Sequence, residues 1–165
     1  MGQPDSSRPT STASVLVFAL GNPSRGDDAL GPELAARLEA AALPGVEVIV
    51  DFQLQVEHAL DMAGRRLVVF VDAAVDARAP CEIRAVTPVR DASHSSHALS
   101  PAAVLETFER IIGRAAPEAR VLAVRGECFE LGAPLSPAAR ANLEAAWDRL
   151  AALLRHTPGA EAGPP

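Results

Sequence analysis

The sequence predicts an α/β protein, a three-layer α/β/α sandwich built on a mostly parallel sheet of about five strands. Three observations predict it. Short apolar runs alternate with helical patterns along the chain, the runs 15–20 and 67–71 are apolar at every position, and the later helical stretches each carry one apolar stripe. Strands that are apolar at consecutive positions are covered on both faces. A chain of 165 residues is long enough to bury one such core, so a single domain is expected over 13–156.

The elements follow in order. The run Val15-Leu16-Val17-Phe18-Ala19-Leu20 predicts a strand near 14–20, closed by the turn formers Gly21-Asn22-Pro23. Leu30, Leu34 and Leu38 recur at helical spacing and predict a helix near 30–42. A second strand is expected near 46–51, a short helix near 55–63, the strand at 67–71, and an edge strand near 81–86. A polar loop then precedes a helix at 101–112, a strand near 119–124 and a last helix at 137–155. Ser100-Pro101 and Ser136-Pro137 each read as a Ser N-cap followed by Pro at the first helical position. The stripes Val104, Leu105, Phe108, Ile111, Ile112 and Leu143, Ala146, Trp147, Leu150, Leu153, Leu154 read as core faces. Residues 1–12 and 157–165 are rich in Ser, Pro, Gly and Ala and are expected to be disordered tails.

Composition narrows the function. A formal net charge of −6 and the lack of a basic stripe oppose a nucleic-acid partner, because phosphate neutralisation requires clustered Lys and Arg. No apolar run approaches the roughly 18 residues of a membrane span, and no basic segment followed by an apolar stretch opens the chain. The two cysteines, Cys81 and Cys128, lie outside any C-x-x-C spacing and read as reduced structural thiols. A cytoplasmic monomer without nucleic-acid or membrane partners is expected.

Chemistry is expected at the carboxyl ends of the strands, where open α/β sheets form their ligand crevice. The first strand runs into Gly21-Asn22-Pro23-Ser24-Arg25-Gly26-Asp27-Asp28, the second ends in Asp51-Phe52-Gln53-Leu54-Gln55, and the third in Asp72-Ala73-Ala74. The spacing from Gly21 to Gly26 matches a phosphate loop. The Lys and Ser or Thr that should follow are Asp27 and Asp28, which repel a polyphosphate and suit a cation, water activation or proton sharing. His94 and His97 lie in a Ser-rich loop that can close over the same edge. Two carboxylates and an imidazole suit a divalent ion such as nickel or zinc; two carboxylates alone suit a shared proton. Taken singly, each residue has a plainer role: Asp27 or Asp28 as a helix N-cap, Asp72 as a turn former, the histidines as solvated groups. Glu57, His58 and Asp61 read as one solvated face of the short helix. No G-x-S-x-G elbow is present, which opposes a serine nucleophile.

At these residues the chain resembles the hydrogenase maturation endopeptidases, which process the large subunit of nickel-iron hydrogenases. Gly21-Asn22 through Asp27-Asp28-Ala29-Leu30-Gly31 is similar to the family's opening G-N-x-x-x-x-D-[DE]-x-x-G signature. Val69-Phe70-Val71-Asp72-Ala73 resembles its central strand, Ser96-His97-Ala98-Leu99 its histidine loop, and Leu131-Gly132 through Pro137 the approach to its last helix. The resemblance implies the phosphorylase/hydrolase-like form of the sandwich and an aspartic-type, metal-recognising endopeptidase. It would clip a short C-terminal extension from the large-subunit precursor once nickel is loaded.

It further implies Asp28, Asp72 and His97 as the metal contacts, with Asp28 and Asp72 catalytic. Nickel would be supplied by the precursor, with zinc or cadmium as stand-ins. Asp27 becomes a cap or supporting group, and Asn22, Asp51 and Gln53 are secondary candidates. Many members follow the second strand with Asp-Gly-Gly-Thr, whereas this chain has Asp51-Phe52-Gln53-Leu54. A peptidyl-tRNA hydrolase-like enzyme would also open with a strand and Gly-Asn-Pro, but its Thr-Arg-His-Asn-type segment is missing. A noncatalytic nucleotide-binding module lacks its Lys.

Overall fold

A computed structural model describes residues 13–90 and 98–157. The strands are β1 (Val15–Leu20), β2 (Val46–Asp51), β3 (Leu67–Ala74), β4 (Cys81–Ala85) and β5 (Glu118–Arg125). The helices are α1 (Leu30–Ala41), α2 (His58–Asp61), α3 (Pro101–Ile112) and α4 (Pro137–Arg155). A 3-10 turn over Gly26–Ala29 leads into α1. The sheet order is β2-β1-β3-β5-β4, parallel except for β4, which pairs antiparallel with β5 at the edge. The three-layer sandwich expected from the sequence is therefore the fold. The expected tails, Thr157 apart, and the His94 and His97 loop lie outside the described residues.

Alternation along each strand sends side chains to opposite layers. Val15, Val17, Val69, Val71, Leu122 and Val124 pack under α1 and α4, while Leu16, Phe18, Val68, Phe70 and Val121 pack under α2 and α3. Every residue of β1 is buried, because β1 lies between β2 and β3 with helices on both faces. Ser100 and Ser136 cap α3 and α4 as their Ser-Pro pairs predict. Each hydroxyl accepts a backbone N–H three residues on, from Ala103 and Ala139, at 3.1 Å.

Three expectations change. The predicted helix near 55–63 is a single turn, α2, because residues 52–57 are occupied by a loop tied to its neighbours through side chains. Strand β3 continues three residues past Val71, so Asp72 lies inside the sheet, in register with Ala123 of β5, and is not a turn former beyond it. Ile111 is 51 % exposed, since it sits at the border of the α3 stripe in the last turn, while Val104, Leu105 and Phe108 fill the core.

Gly31 marks where helix α1 meets the sheet. A Cβ there would overlap the Leu20 carbonyl oxygen at the end of β1, so only glycine lets the helix lie this close to the strand. Gly31→Ala is expected to lower the unfolding free energy by about 1–3 kcal/mol, as overpacked cores do, read as a shift in urea midpoint.

Candidate active site

Strands β1 and β3 are neighbours in the middle of the sheet, and the chain leaves them in opposite directions, from β1 to β2 and from β3 to β4 and β5. Ligand crevices form at such a switch point, beyond the carboxyl ends of the diverging strands. Asp28 follows β1 and Asp72 lies near the end of β3, so the topology brings to this point the two carboxylates that the sequence singles out.

The turn after β1 is shaped to present Asp28. Gly21 has φ 138°, and a Cβ on it would overlap the Asp28 carbonyl oxygen, so the turn closes only with glycine. The backbone N–H of Asn22 donates to Asp28 Oδ2 at 2.8 Å, and Asn22 Oδ1 accepts the Ser24 N–H at 2.9 Å. Asn22 thus orients Asp28 through its main chain and braces its own turn through its side chain.

Asp27 points the other way. It is completely buried, and its Oδ2 accepts the N–H groups of Glu127 and Cys128 at 2.7 and 3.0 Å and the Ser136 hydroxyl at 2.8 Å. Oδ1 accepts the Ser136 N–H at 2.7 Å, while the Asp27 N–H donates to the Cys128 carbonyl at 2.7 Å. Burial pushes the carboxyl pKa up, but these donors outweigh it and hold the group below 3.8. The N-cap role is thereby corrected: Ala29 stands at the N-cap of α1 with no side-chain bond, and Asp27 instead anchors the loop that enters α4.

Asp72 has the opposite environment. Burial, and then the negative charge of Asp28, raise its pKa from 3.8 to about 7, against a weaker opposing bond from the Ala73 N–H. Two close carboxylates of which one resists ionisation form a pair that a cation or a shared proton relieves. That donor set fits a divalent ion. The third expected ligand, His97, lies outside the described residues, and among the described residues no three His, Cys, Asp or Glu side chains form a metal-binding group.

The secondary candidates divide. Asp51 Oδ1 accepts the Phe52 N–H at 2.6 Å, and Oδ2 lies 3.4 Å from His58 Nε2. Gln53 lines a cavity whose wall includes Asp72. The solvated face expected for Glu57, His58 and Asp61 is corrected at His58. It is buried, not solvated; its Nδ1 accepts the Gln55 N–H at 2.9 Å and its ring packs edge-on against Phe18. Nδ1 is thus the acceptor, which leaves the proton on Nε2 facing Asp51. The spacing of His58, Ala59 and Met62 as one apolar helical face was the available signal. Both cysteines are free thiols, Cys81 in the core and Cys128 beside Asp27.

Fold and site define an α/β protein with an acidic centre at the switch point of its sheet. No protein-family model matches the chain, and no curated protein matches it. Solved structures do. The hydrogenase maturating endopeptidase HybD from E. coli is 25 % identical over 87 % of this chain and 93 % of its own, with a TM-score of 0.67. A solution structure of an endopeptidase from Escherichia coli is 25 % identical over 88 % and 94 %, with a TM-score of 0.66. The [NiFe] hydrogenase maturation protease HycI from Thermococcus kodakarensis KOD1 shares the fold at 23 % identity, 89 % and 96 % coverage and a TM-score of 0.62. The chain thus shares its fold, over most of its length, with hydrogenase maturation endopeptidases.

The two buried aspartates make separable predictions. Asp27→Ala leaves several buried donors without an acceptor and is expected to cost about 3–5 kcal/mol in urea unfolding. Asp72 works on pH. The folded protein holds a proton that the unfolded chain, at 3.8, releases, so stability is lost as pH rises from about 4 through about 7. The slope reaches at most about 1.4 kcal/mol per pH unit. Asp72→Asn should flatten it in the metal-free protein. Asp27 acts below that window with opposite sign: its stabilisation is present above 3.8 and lost as pH falls through its lower folded value.

Proposed function

We propose that this chain is the endopeptidase that removes a short C-terminal extension from the precursor of a nickel-iron hydrogenase large subunit after nickel insertion. The carrying observation is the Asp28 and Asp72 pair at the switch point of a fold shared with hydrogenase maturation endopeptidases. In this proposal the precursor's nickel is part of the substrate. Asp28, Asp72 and His97 contact it, and zinc or cadmium would occupy the same ligands. The two carboxylates are then the bases for the attacking water, an aspartic-type role. Asn22 and Asp27 hold Asp28 in place, Asp51 and Gln53 shape the adjoining wall, and the enzyme works as a cytoplasmic monomer.

Physical logic supports recognition by metal. Two carboxylates that repel each other bind a chain carrying a cation better than one without it, so cleavage follows correct loading. The acidic balance of the chain, −6, opposes a tRNA substrate.

Incubation with nickel-loaded and nickel-free precursor from the same organism is expected to give a small mass loss in the loaded sample alone. Cleavage of both would remove nickel recognition from the proposal. Asp28→Asn, Asp72→Asn and His97→Ala should each slow processing by about a hundredfold or more while circular dichroism stays native. Full activity in any of them would reassign the site.

A further inference from the structure

We propose that the cavity beside Asp72 is a side-chain subsite that takes one apolar residue of the precursor polypeptide, adjacent to the scissile bond. It rests on the endopeptidase reading. The cavity has a volume of about 190 Å³ and lies among Leu54, Phe70, Ala74, Leu99, Val121 and Ala123, with Asp72 in its wall. Its size decides what class of group it holds. Pockets for whole small-molecule ligands run to roughly 300–1,000 Å³, whereas an apolar cavity of about 150 Å³ takes one benzene. This one suits a single medium-sized apolar side chain.

Its place decides whose side chain. Asp72 belongs both to the carboxylate pair and to the cavity wall, so a peptide bond held at the pair leaves a neighbouring side chain at the cavity mouth. Gln53 and the exposed Arg84 also line the cavity and offer polar partners to a peptide main chain.

The outer wall is built and held. Phe52, 68 % exposed, Gln53 and Leu54 form it, where many hydrogenase maturation endopeptidases have Gly-Gly-Thr after the same Asp. Asp51 holds the start of this loop through the Phe52 N–H, and His58 joins its two ends by accepting from Gln55 and facing Asp51. The Leu54 carbonyl accepts the Leu99 N–H at 3.3 Å, tying the wall to the segment before α3, and the Leu54 side chain is buried. His58 is thus a positioning residue for the subsite.

Two measurements test the proposal. In methyl NMR of the intact protein, N-acetyl-leucine amide should saturably shift the Leu54, Leu99 and Val121 methyls, and N-acetyl-aspartate amide should not. Ala74→Leu, which fills the cavity from its wall, should abolish the shift; Ala123→Val serves if that variant fails to fold. Absence of the shift, or its persistence in the filled variant, overturns the subsite whatever the enzyme does.

In the second measurement, nickel-loaded precursors carry Leu, Gly or Asp at each position flanking the scissile bond. The wild type is expected to favour Leu at one of them by about tenfold in kcat/KM, and Ala74→Leu to lose that preference. His58→Ala should weaken the preference through KM more than kcat. Equal rates for Leu, Gly and Asp overturn the proposal. Failure to cleave any precursor overturns the endopeptidase reading and the subsite's place beside a scissile bond, and leaves the NMR result to decide the cavity's affinity for an apolar side chain.

Discussion

The buried carboxylate of Asp27 is the constraint on which the rest of the site depends. An isolated charge in the interior costs several kcal/mol, so it persists only where donors surround it. Here those donors come from residues at least 100 positions further along the chain, in the loop between β5 and α4. One side chain therefore joins the turn after the first strand to the entry of the last helix. The same Ser136 hydroxyl that donates to Asp27 accepts the Ala139 N–H, so the cap of α4 and the acidic turn are one hydrogen-bonded unit. With Asp27 pinned inward, the next residue, Asp28, is held by the Asn22 N–H beside Asp72, at the switch point between β1 and β3.

Two aspartates illustrate how surroundings, not residue type, set chemistry. Asp27 is the more completely buried, yet its donors keep it ionised. Asp72 is desolvated by burial and has a like charge beside it, with one opposing backbone bond, and its pKa rises to about 7. The first is completely buried and already accepts four hydrogen bonds, so no ligand reaches it; the second gains from any cation that enters. Structural and chemical roles are thus divided between neighbouring elements of one edge. The loop from Asp51 to His58 adjoins that site, with the His58 imidazole joining its two ends through Gln55 and Asp51.

The order of elements was legible in the sequence because local physics specifies it. Consecutive apolar residues in 15–20 and 67–71 require cover on both faces, and the Ser-Pro pairs at 100 and 136 start helices without tertiary help. Asp28 and Asp72 were legible as site candidates because strand ends and the switch-point rule place them there. His58 was not, since its burial depends on Phe18 and Asp51, residues distant in sequence, and a polar residue on a short helix is ordinarily solvated. Ile111 failed in the other direction: periodicity assigns a face, but not how far the opposing layer extends.

What the sequence by itself determined is therefore the alternation of strands and helices, their covered faces, and the presence of carboxylates where β1 and β3 end. The tertiary structure supplied the physical cause of the division between the adjacent carboxylates: Asp27 is turned inward onto buried donors, while Asp28 is held by the Asn22 N–H near Asp72. Adjacent Asp27 and Asp28 are indistinguishable by composition, and only the donors of the distant 127–136 loop choose between them. Likewise burial within the sheet, and then proximity to Asp28, set the protonation of Asp72. The physical reason is the same in both cases: electrostatic free energy in a protein depends on the donors and charges brought within a few ångströms, and those are assembled by folding.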